Sequence, residues 1–495
     1  MGGMIEALGT IFSMWGLACL LAGTAIGIIV GALPGLGPSI GISLLIPFTY
    51  TLSPELSMLL LVSLYMGAEY GGSVSAILLS TPGTAAAAST ALDGYAMTRQ
   101  GRANEALAIS LGSSAVGGVI GGLALLVLAG PLASLALKFG PAGYFAVGLF
   151  GLTSVAALSG GSLVKGLLGA AFGLAIATVG IDPIAGVPRF TFGFIELYEG
   201  VPFLTALIGL FAVSEALVLA EKGIRSSADG QGPVRSVLLR ARQWRDLFPT
   251  MLSGSVIGTL LGILPGVGGN IACWIARDFA RRRDKDPDSF GHGAEKGVAA
   301  PEAANNATVG GALIPLLSLG VPGSPTTAVL VGALILHGLR PGPQLFSEAP
   351  ALVYSILIGV IVSALAMFAV GTLCLPIWAR AIRLPRSVIA TGIMAFAVLG
   401  AFALRNLVFD VSMMLLFGLL GYVLKKLRFS VAPIVLAMVL GYLVESNYRT
   451  ALVTSQGSYS IFVTDPISVT FLILSAVSLI LPILRSLRSR RRSAL

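Results

Sequence analysis

The sequence predicts an all-α polytopic membrane protein made of two similar halves, and three observations carry that expectation. Only 11% of the 495 residues are charged and 56% are hydrophobic, against about 25% charged in an average globular protein. Apolar runs of bilayer-spanning length recur from end to end, and helices satisfy their own backbone hydrogen bonds in lipid. The string Gly31-Ala-Leu-Pro-Gly-Leu-Gly37 returns as Gly262-Ile-Leu-Pro-Gly-Val-Gly268. A mean hydropathy of +0.93 agrees. Soluble enzymes, nucleic-acid binders and secreted disulfide scaffolds are excluded, and the 63 glycines follow neither a collagen period nor a polar low-complexity pattern.

Hydropathy places spans near 8–33, 55–80, 103–129, 143–159, 162–180 and 201–220, then near 246–264, 300–320, 350–373, 387–404, 411–424, 431–446 and 465–484. This amounts to about twelve transmembrane helices. Ile11 to Leu33 reads as a retained first helix, because no positively charged segment precedes it. The chain divides into a first membrane repeat over 1–221, a basic amphipathic linker over 222–245, and a second membrane repeat over 246–495 with a basic tail. Within and beyond that linker, Val234 to Phe248 alternates arginines with leucines and reads as a helix lying on the membrane surface.

No Lys or Arg precedes Arg99. Basic residues collect between Lys222 and Arg245, at Arg277 to Lys285, around Arg380 to Arg386, at Lys425, Lys426 and Arg428, and from Arg485 to Arg492. Short basic segments beside apolar runs belong on the cytoplasmic side. They lack the aromatic platform of a nucleic-acid site, so the net charge of +9 orients the chain in the lipid bilayer and says little about its ligand. Cys19, Cys273 and Cys374 lie far apart and form neither a disulfide framework nor a metal cluster.

Further landmarks pair between the halves: Thr81-Pro-Gly-Thr84 with Val321-Pro-Gly-Ser324, Pro131 and Pro141 with Pro376 and Pro385, and Pro202 with Pro466. Paired Gly/Pro interruptions in duplicated membrane halves are the mark of secondary transporters, whose sites lie at broken helices near the midplane. The uncharged turn at Phe48 to Ser53, opposite the basic Arg281 to Lys285, favours an inverted repeat, while the basic ends of both halves favour a parallel one. Inversion is the preferred arrangement because it offers a simple route to alternating access.

At each break a helix-start signal follows the glycines and proline. In Ser324-Pro325-Thr326-Thr327, Ser324 can cap and Pro325 suits the first helical position; Thr84, Gly37-Pro38-Ser39 and Gly268-Gly269-Asn270 offer the other starts. Free N–H groups at a helix start attract anions such as carboxylates, and freed carbonyls beside them suit Na+. Glu302, Asn305 and Asn306 share one helix face and can coordinate a cation or a substrate oxygen, with an interfacial cap as the alternative for Glu302. Glu69 and Tyr70 are a looser counterpart in the first half, and Asp93 and Arg99 read as a solvated loop. Gly117-Gly118 with Gly121-Gly122 reads as helix packing. There is no Walker A string, no cluster around His292 or His337 and no Ser/His pairing, so ATP hydrolysis, a transition-metal site and an enzyme are not expected.

Gly31 to Pro38, Tyr70 to Thr84, Gly262 to Asn270 and Ala300 to Leu330 together closely resemble the large membrane subunit of the tripartite tricarboxylate transporters, the TctA family, over essentially the whole chain. Pro-Glu-Ala-Ala-Asn-Asn-Ala from Pro301 is the most specific piece. The resemblance implies two partners, a small membrane subunit and a periplasmic solute-binding protein, in the inner membrane of a bacterium. It implies uptake of citrate or related organic carboxylates driven by an ion gradient, commonly Na+, with no other cofactor, and by fold analogy an elevator-like movement. On this reading Ser39, Thr84, Asn270 and Ser324 face substrate carboxylates at helix starts, with Ser80, Thr81, Gly83, Gly323, Thr326 and Thr327 beside them. Carbonyls of Pro34, Gly35, Gly37, Pro265, Gly266 and Gly268, with Glu302, Asn305 and Asn306, form the ion-binding set. A gated anion pore is the alternative, an intramembrane enzyme or a non-transporting scaffold is disfavoured, and a homodimer stays open.

Overall fold

The computed structural model describes residues 2–158, 162–182, 184–221, 238–381 and 384–492. In the first half the helices are Gly2–Ile11 (α1), Met14–Ala32 (α2), Pro38–Leu45 (α3), Pro54–Leu79 (α4), Ala88–Arg99 (α5), Ala103–Ala136 (α6), Pro141–Leu158 (α7), Leu163–Ala177 (α8) and Phe203–Glu221 (α9). The second half has Ala241–Ile263 (α10), Gly268–Arg283 (α11), Glu295–Leu319 (α12), Pro325–Leu336 (α13), Pro350–Ala381 (α14), Arg386–Arg405 (α15), Val408–Lys426 (α16), Ala432–Thr454 (α17) and Pro466–Arg492 (α18). Nine helices among the described residues are long and apolar enough to cross a bilayer. α4 and α12 are as long, but they carry Glu69, Glu302, Asn305 and several serines and are buried along most of their length. The fold is all-α, as expected, apart from a two-residue strand pair at Gly180–Ile181 and Pro188–Arg189.

Of the surface helix expected over Val234 to Phe248, residues 234–237 lie outside the described residues. Ala241 to Phe248 forms the first turns of α10, continuous with its membrane stretch. No backbone break separates an interfacial piece from the span, because Pro249 is tolerated inside the helix.

Two helix pairs form the centre, and small residues bring them together. A side-chain carbon at Gly23, Gly27 or Gly31 of α2 would overlap the carbonyls of Leu60, Leu64 or Ala68 on α4. At Gly254, Gly258 and Gly262 of α10 it would meet the carbonyls of Ala300, Ala304 and Thr308 on α12. In both pairs the contacts step by four residues in the same direction on each helix, so the partners run parallel. The pairs themselves oppose each other: Glu302, Asn305 and Asn306 of α12 meet Ser73, Glu69 and Met66 of α4 in reverse order. α6 lies along α12 through Gly117 and Gly121, which face the carbonyls of Ala303 and Ala307, the packing expected of that glycine run.

Each central pair receives an extended segment. After α4 the chain turns back, and Gly83 donates to the Gly72 carbonyl at 3.1 Å. A Cβ on Gly83 would overlap the Gly31 carbonyl and lie 2.9 Å from the Gly72 Cα. After α12, Gly323 does the same against the Gly262 carbonyl, at 2.9 Å, and the Ala312 Cα, at 2.8 Å. Around this centre, α7 and α8 pack with α17 and α18, while α9 packs with α15 and α16. Large apolar side chains such as Trp15, Leu137, Val164 and Leu373 are exposed on the outside, as a lipid-facing surface requires.

Asp182, in the connection after α8, accepts the N–H groups of Ile184 and Ala185, both at 2.8 Å, and pairs with Arg449 at 2.8 Å. The Ala185 N–H, the Arg449 guanidinium and the Ile184 N–H hold its carboxyl well below the usual range. An acid depressed in the folded state contributes its stabilisation above its ordinary pKa and loses it as pH falls through the depressed value. Hydrogen-exchange protection around Gly180 and Gly200 should therefore stay flat from neutral pH to about pH 4 and decline only below it. Asp182→Asn should reduce protection at neutral pH, and an unaffected loop would contradict the anchor. Gly83→Ala places a methyl where the Gly31 carbonyl sits and should destabilise the chain by about 2 kcal/mol or more, read as a lower thermal unfolding midpoint.

Candidate functional site

The breaks between helices bring the two halves together. α3 starts behind Gly37 with Pro38 in its first turn, and α13 starts behind Ser324 with Pro325 in its first turn. Ser324 and Thr327 cap reciprocally: Thr327 N–H reaches Ser324 Oγ at 3.2 Å, and Ser324 N–H reaches Thr327 Oγ1 at 2.8 Å. The two starts then meet, with Ser39 Oγ 3.0 Å from Thr326 Oγ1. Tyr65 of α4 places its hydroxyl 3.2 Å from Ser324 Oγ. A first-half helix start is thus joined to a second-half one, 287 residues away in sequence. The first N–H groups of each helix have no intrahelical partner, so this junction presents hydroxyls and two positive helix ends. It can receive an anion.

The other two breaks also meet across the halves. A Cβ on Gly269, in the first turn of α11, would lie 3.3 Å from the Ala86 Cβ, just ahead of α5. It would also lie 2.7 Å from Asn305 Oδ1 and 3.3 Å from Thr308 Oγ1. Gly266 donates to the Gly323 carbonyl at 3.1 Å, tying the two second-half breaks together. Gly35 faces the Glu215 carboxylate, 2.7 Å from where a Cβ would stand, and Glu215 pairs with Lys425 at 2.7 Å. The Gly37 carbonyl is occupied by Ile40 and Gly41 N–H groups.

Some expected site residues lie elsewhere. Ser80 is exposed and ends α4 in a left-handed conformation, and Thr81 donates to the Leu79 carbonyl at 3.2 Å. Asn270 is exposed on the first turn of α11. Thr84 does not cap α5, which begins at Ala88; its hydroxyl accepts Ala87 N–H at 3.4 Å in a preceding turn and packs on Gly72. Asp93, expected in a solvated loop, is fully buried. It accepts the Arg277 guanidinium at 2.7 Å and the N–H groups of Gly291, Gly293 and Ala294, because α5 folds back against α11. Arg99 is exposed.

Glu302 lies two turns inside α12, fully buried, so it is no interfacial cap. Its Oε1 accepts Ser73 and Thr90 hydroxyls, both at 2.5 Å, and its Oε2 accepts Ser110 at 2.8 Å and Ser114 at 3.0 Å. Those hydroxyls come from α4, α5 and α6, so one carboxylate joins four helices across both halves. Sequence reasoning missed these partners; the spacing of Ser110 and Ser114, one turn apart in an apolar helix, was the available signal. Asn305 Nδ2 donates to the Glu69 carbonyl at 3.1 Å and Asn306 Nδ2 to the Met66 carbonyl at 3.1 Å, leaving both amide oxygens buried without a partner.

Beyond the far end of α12, a cavity of about 750 Å³ reaches Gly320, the residue capping that helix. Arg189, Arg340, Tyr198, Tyr442 and Glu445 line it, with the apolar faces of α13 and α17. It lies at the opposite end of α12 from the basic end of α11.

The chain matches the Tripartite tricarboxylate transporter TctA family over residues 17–436. An Agrobacterium vitis protein, described as an uncharacterized 52.8 kDa protein in the TAR-I ttuC' 3' region, is 37% identical over 492 residues, 99% of this chain and 96% of that one. Another protein of the same organism, described as an uncharacterized protein in the TAR-II ttuC' 3' region, is 39% identical over 234 residues, 47% of this chain and 97% of that one. No solved structure matches the chain.

Removing the Glu302 carboxylate leaves four buried hydroxyls without their acceptor. Glu302→Ala should cost about 3 kcal/mol or more, whereas Glu302→Gln, whose amide can accept two hydroxyls and donate to two others, should cost about 1 kcal/mol. Thermal unfolding of both variants in lipid measures this; equal costs would contradict the four-helix junction.

Proposed function

The chain belongs to the TctA family of tripartite tricarboxylate transporters, and on that premise we propose that it is the permease of an ion-gradient-driven uptake system for an organic carboxylate such as citrate. It is a multi-pass membrane transporter subunit and not an enzyme. The observation that carries the substrate class is the meeting of α3 and α13 at Ser39 and Thr326. Two helix starts point at one place, each worth about half a positive charge, with Ser39, Ser324, Thr326 and Tyr65 as hydroxyl donors. Among the described residues no arginine or lysine hydrogen-bonds to these hydroxyls, so binding a carboxylate there depends on neutral donors and helix ends.

The coupling ion on this reading is a monovalent cation, commonly Na+, bound near the breaks. On this reading the two halves are an inverted repeat, which is supported by the four-residue glycine spacing that the α2–α4 and α10–α12 pairs share and by the opposite run of α4 and α12. An inverted pair built around one site lets either end open by the same local movement. A small membrane subunit and a periplasmic binding protein complete the system in the inner membrane. The cavity reaching Gly320 suits passage of substrate toward the breaks.

Proteoliposomes holding the chain with its small subunit, supplied with the binding protein and radiolabelled citrate, test the reading. An inward Na+ gradient should drive accumulation above the outside concentration, which a pore cannot do. Ser39→Ala and Thr326→Ala should each raise KM about tenfold, the loss of one hydrogen bond to a charged ligand. Equilibration without accumulation contradicts a coupled transporter, and unchanged KM in both variants contradicts the site.

A further inference from the structure

The two cross-half junctions are equivalent in position but opposite in chemistry. The correspondence that takes Gly31 to Gly262 and Ala68 to Thr308 also takes Ser39 to Asn270 and Tyr65 to Asn305. Gly83 and Gly323 correspond likewise, so Thr326 has Ala86 as its counterpart. At the Ser39 junction every polar group named is a hydroxyl that can donate. At the Gly269 junction Thr326 is replaced by an alanine and Tyr65 by an asparagine whose donor is already used. Asn305, 1% exposed, spends its Nδ2 on the Glu69 carbonyl and aims its unpartnered Oδ1 at the first turn of α11.

Glu69 adds the charge. It is 8% exposed, and among the described residues no Lys, Arg or His forms an ion pair with it. It lies one helical turn from Ser73, which binds Glu302, so two carboxylates share one buried region. Their environments differ. Glu302 already accepts hydroxyls on both oxygens. Its four partner hydroxyls stand at hydrogen-bonding distance, 2.5–3.0 Å, two on each carboxylate oxygen. Glu69 has no such hydroxyl cradle among the described residues; its carboxylate meets the Asn305 side chain. A helix start supplies about half a positive charge, too little to balance a full carboxylate in a site that excludes water.

We propose that the Gly269 junction is a monovalent-cation site, with the Glu69 carboxylate and Asn305 Oδ1 as ligands and Thr308 Oγ1 beside them, and that Glu302 is a positioning residue that holds α4, α5, α6 and α12 around it. Hard oxygen ligands of this kind take Na+, and a proton on Glu69 would meet the same charge requirement. The site rests on the proposed ion-coupled function. It lies one helical turn along α4 from the hydroxyl junction, since Tyr65 and Glu69 are four residues apart on the same face of that helix. A cation and an anion bound there would lie one turn apart along the same face of α4.

The full-length chain in lipid nanodiscs tests this by thermal unfolding, with Na+ titrated against choline at fixed pH, and with pH lowered in the absence of Na+. Wild type should show a saturable rise in unfolding temperature in one of the two arms, and that arm identifies the cation. Glu69→Gln should weaken the response at least tenfold in midpoint. Gly269→Ala, which puts a methyl 2.7 Å from Asn305 Oδ1, should do the same without touching charge. Glu302→Gln should lower the unfolding temperature yet keep the wild-type midpoint. A wild-type midpoint in Glu69→Gln, or no response of wild type in either arm, overturns the site. Failure of the wild type to accumulate carboxylate in the uptake assay would instead overturn the function on which it rests.

Discussion

Where each extended segment crosses its helix pair there is no room for a side chain, and the remaining architecture is arranged around that contact. Gly83 lies on Gly31 and Gly72, and Gly323 lies on Gly262 and Ala312. Peptide groups approach this closely only where at least one side of the contact is glycine, and glycines recur every fourth residue on α2 and α10 for the same reason. The close approach lets a chain without helical hydrogen bonds reach the middle of the bundle and satisfy part of its backbone on its neighbours, through Gly83 to Gly72 and Gly266 to Gly323. The helix starts that follow are then fixed in place by packing.

Burying polar chemistry here requires each group to find its partner. Glu302 finds four hydroxyls from three other helices, and Asp93 finds Arg277 with three backbone N–H groups. Both tie α5 to second-half helices. Among the buried groups left without a partner, Asn305 Oδ1 is the one that faces the start of α11, whereas Ser39 and Thr326 hydrogen-bond each other where α3 and α13 start. One junction gathers hydroxyls and the other an unpartnered amide oxygen, and on the proposed function these would take an anion and a cation.

Local chemistry was legible in the sequence. Ser324-Pro325-Thr326-Thr327 reads as a helix start, because capping depends on residues within one turn, and the structure forms that cap. The repeated Leu-Pro-Gly strings mark the ends of α2 and α10 for the same reason. Hydropathy did not show the short helices as spans, although start signals marked three of them: α3, α5, α11 and α13 have 8 to 16 residues, below the length of a span. Long-range partners were not legible either. Asp93 looked solvated because Arg277 stands 184 residues away, and Glu302 looked like a possible cap because its hydroxyls lie on other helices. That helix starts cross between the halves, Ser39 with Thr326 and Gly269 with Ala86, follows from tertiary packing, which no local pattern encodes.

On the proposed function, a carboxylate binds where the starts of α3 and α13 meet. A cryo-electron-microscopy map of the full chain in lipid, with citrate and Na+ present, addresses it directly. Density for the anion between Ser39 and Thr326, within hydrogen-bonding reach of Tyr65 and Ser324, is the predicted result. Density confined to the cavity beside Arg189 and Arg340, with the helix starts still closed on each other, would contradict it.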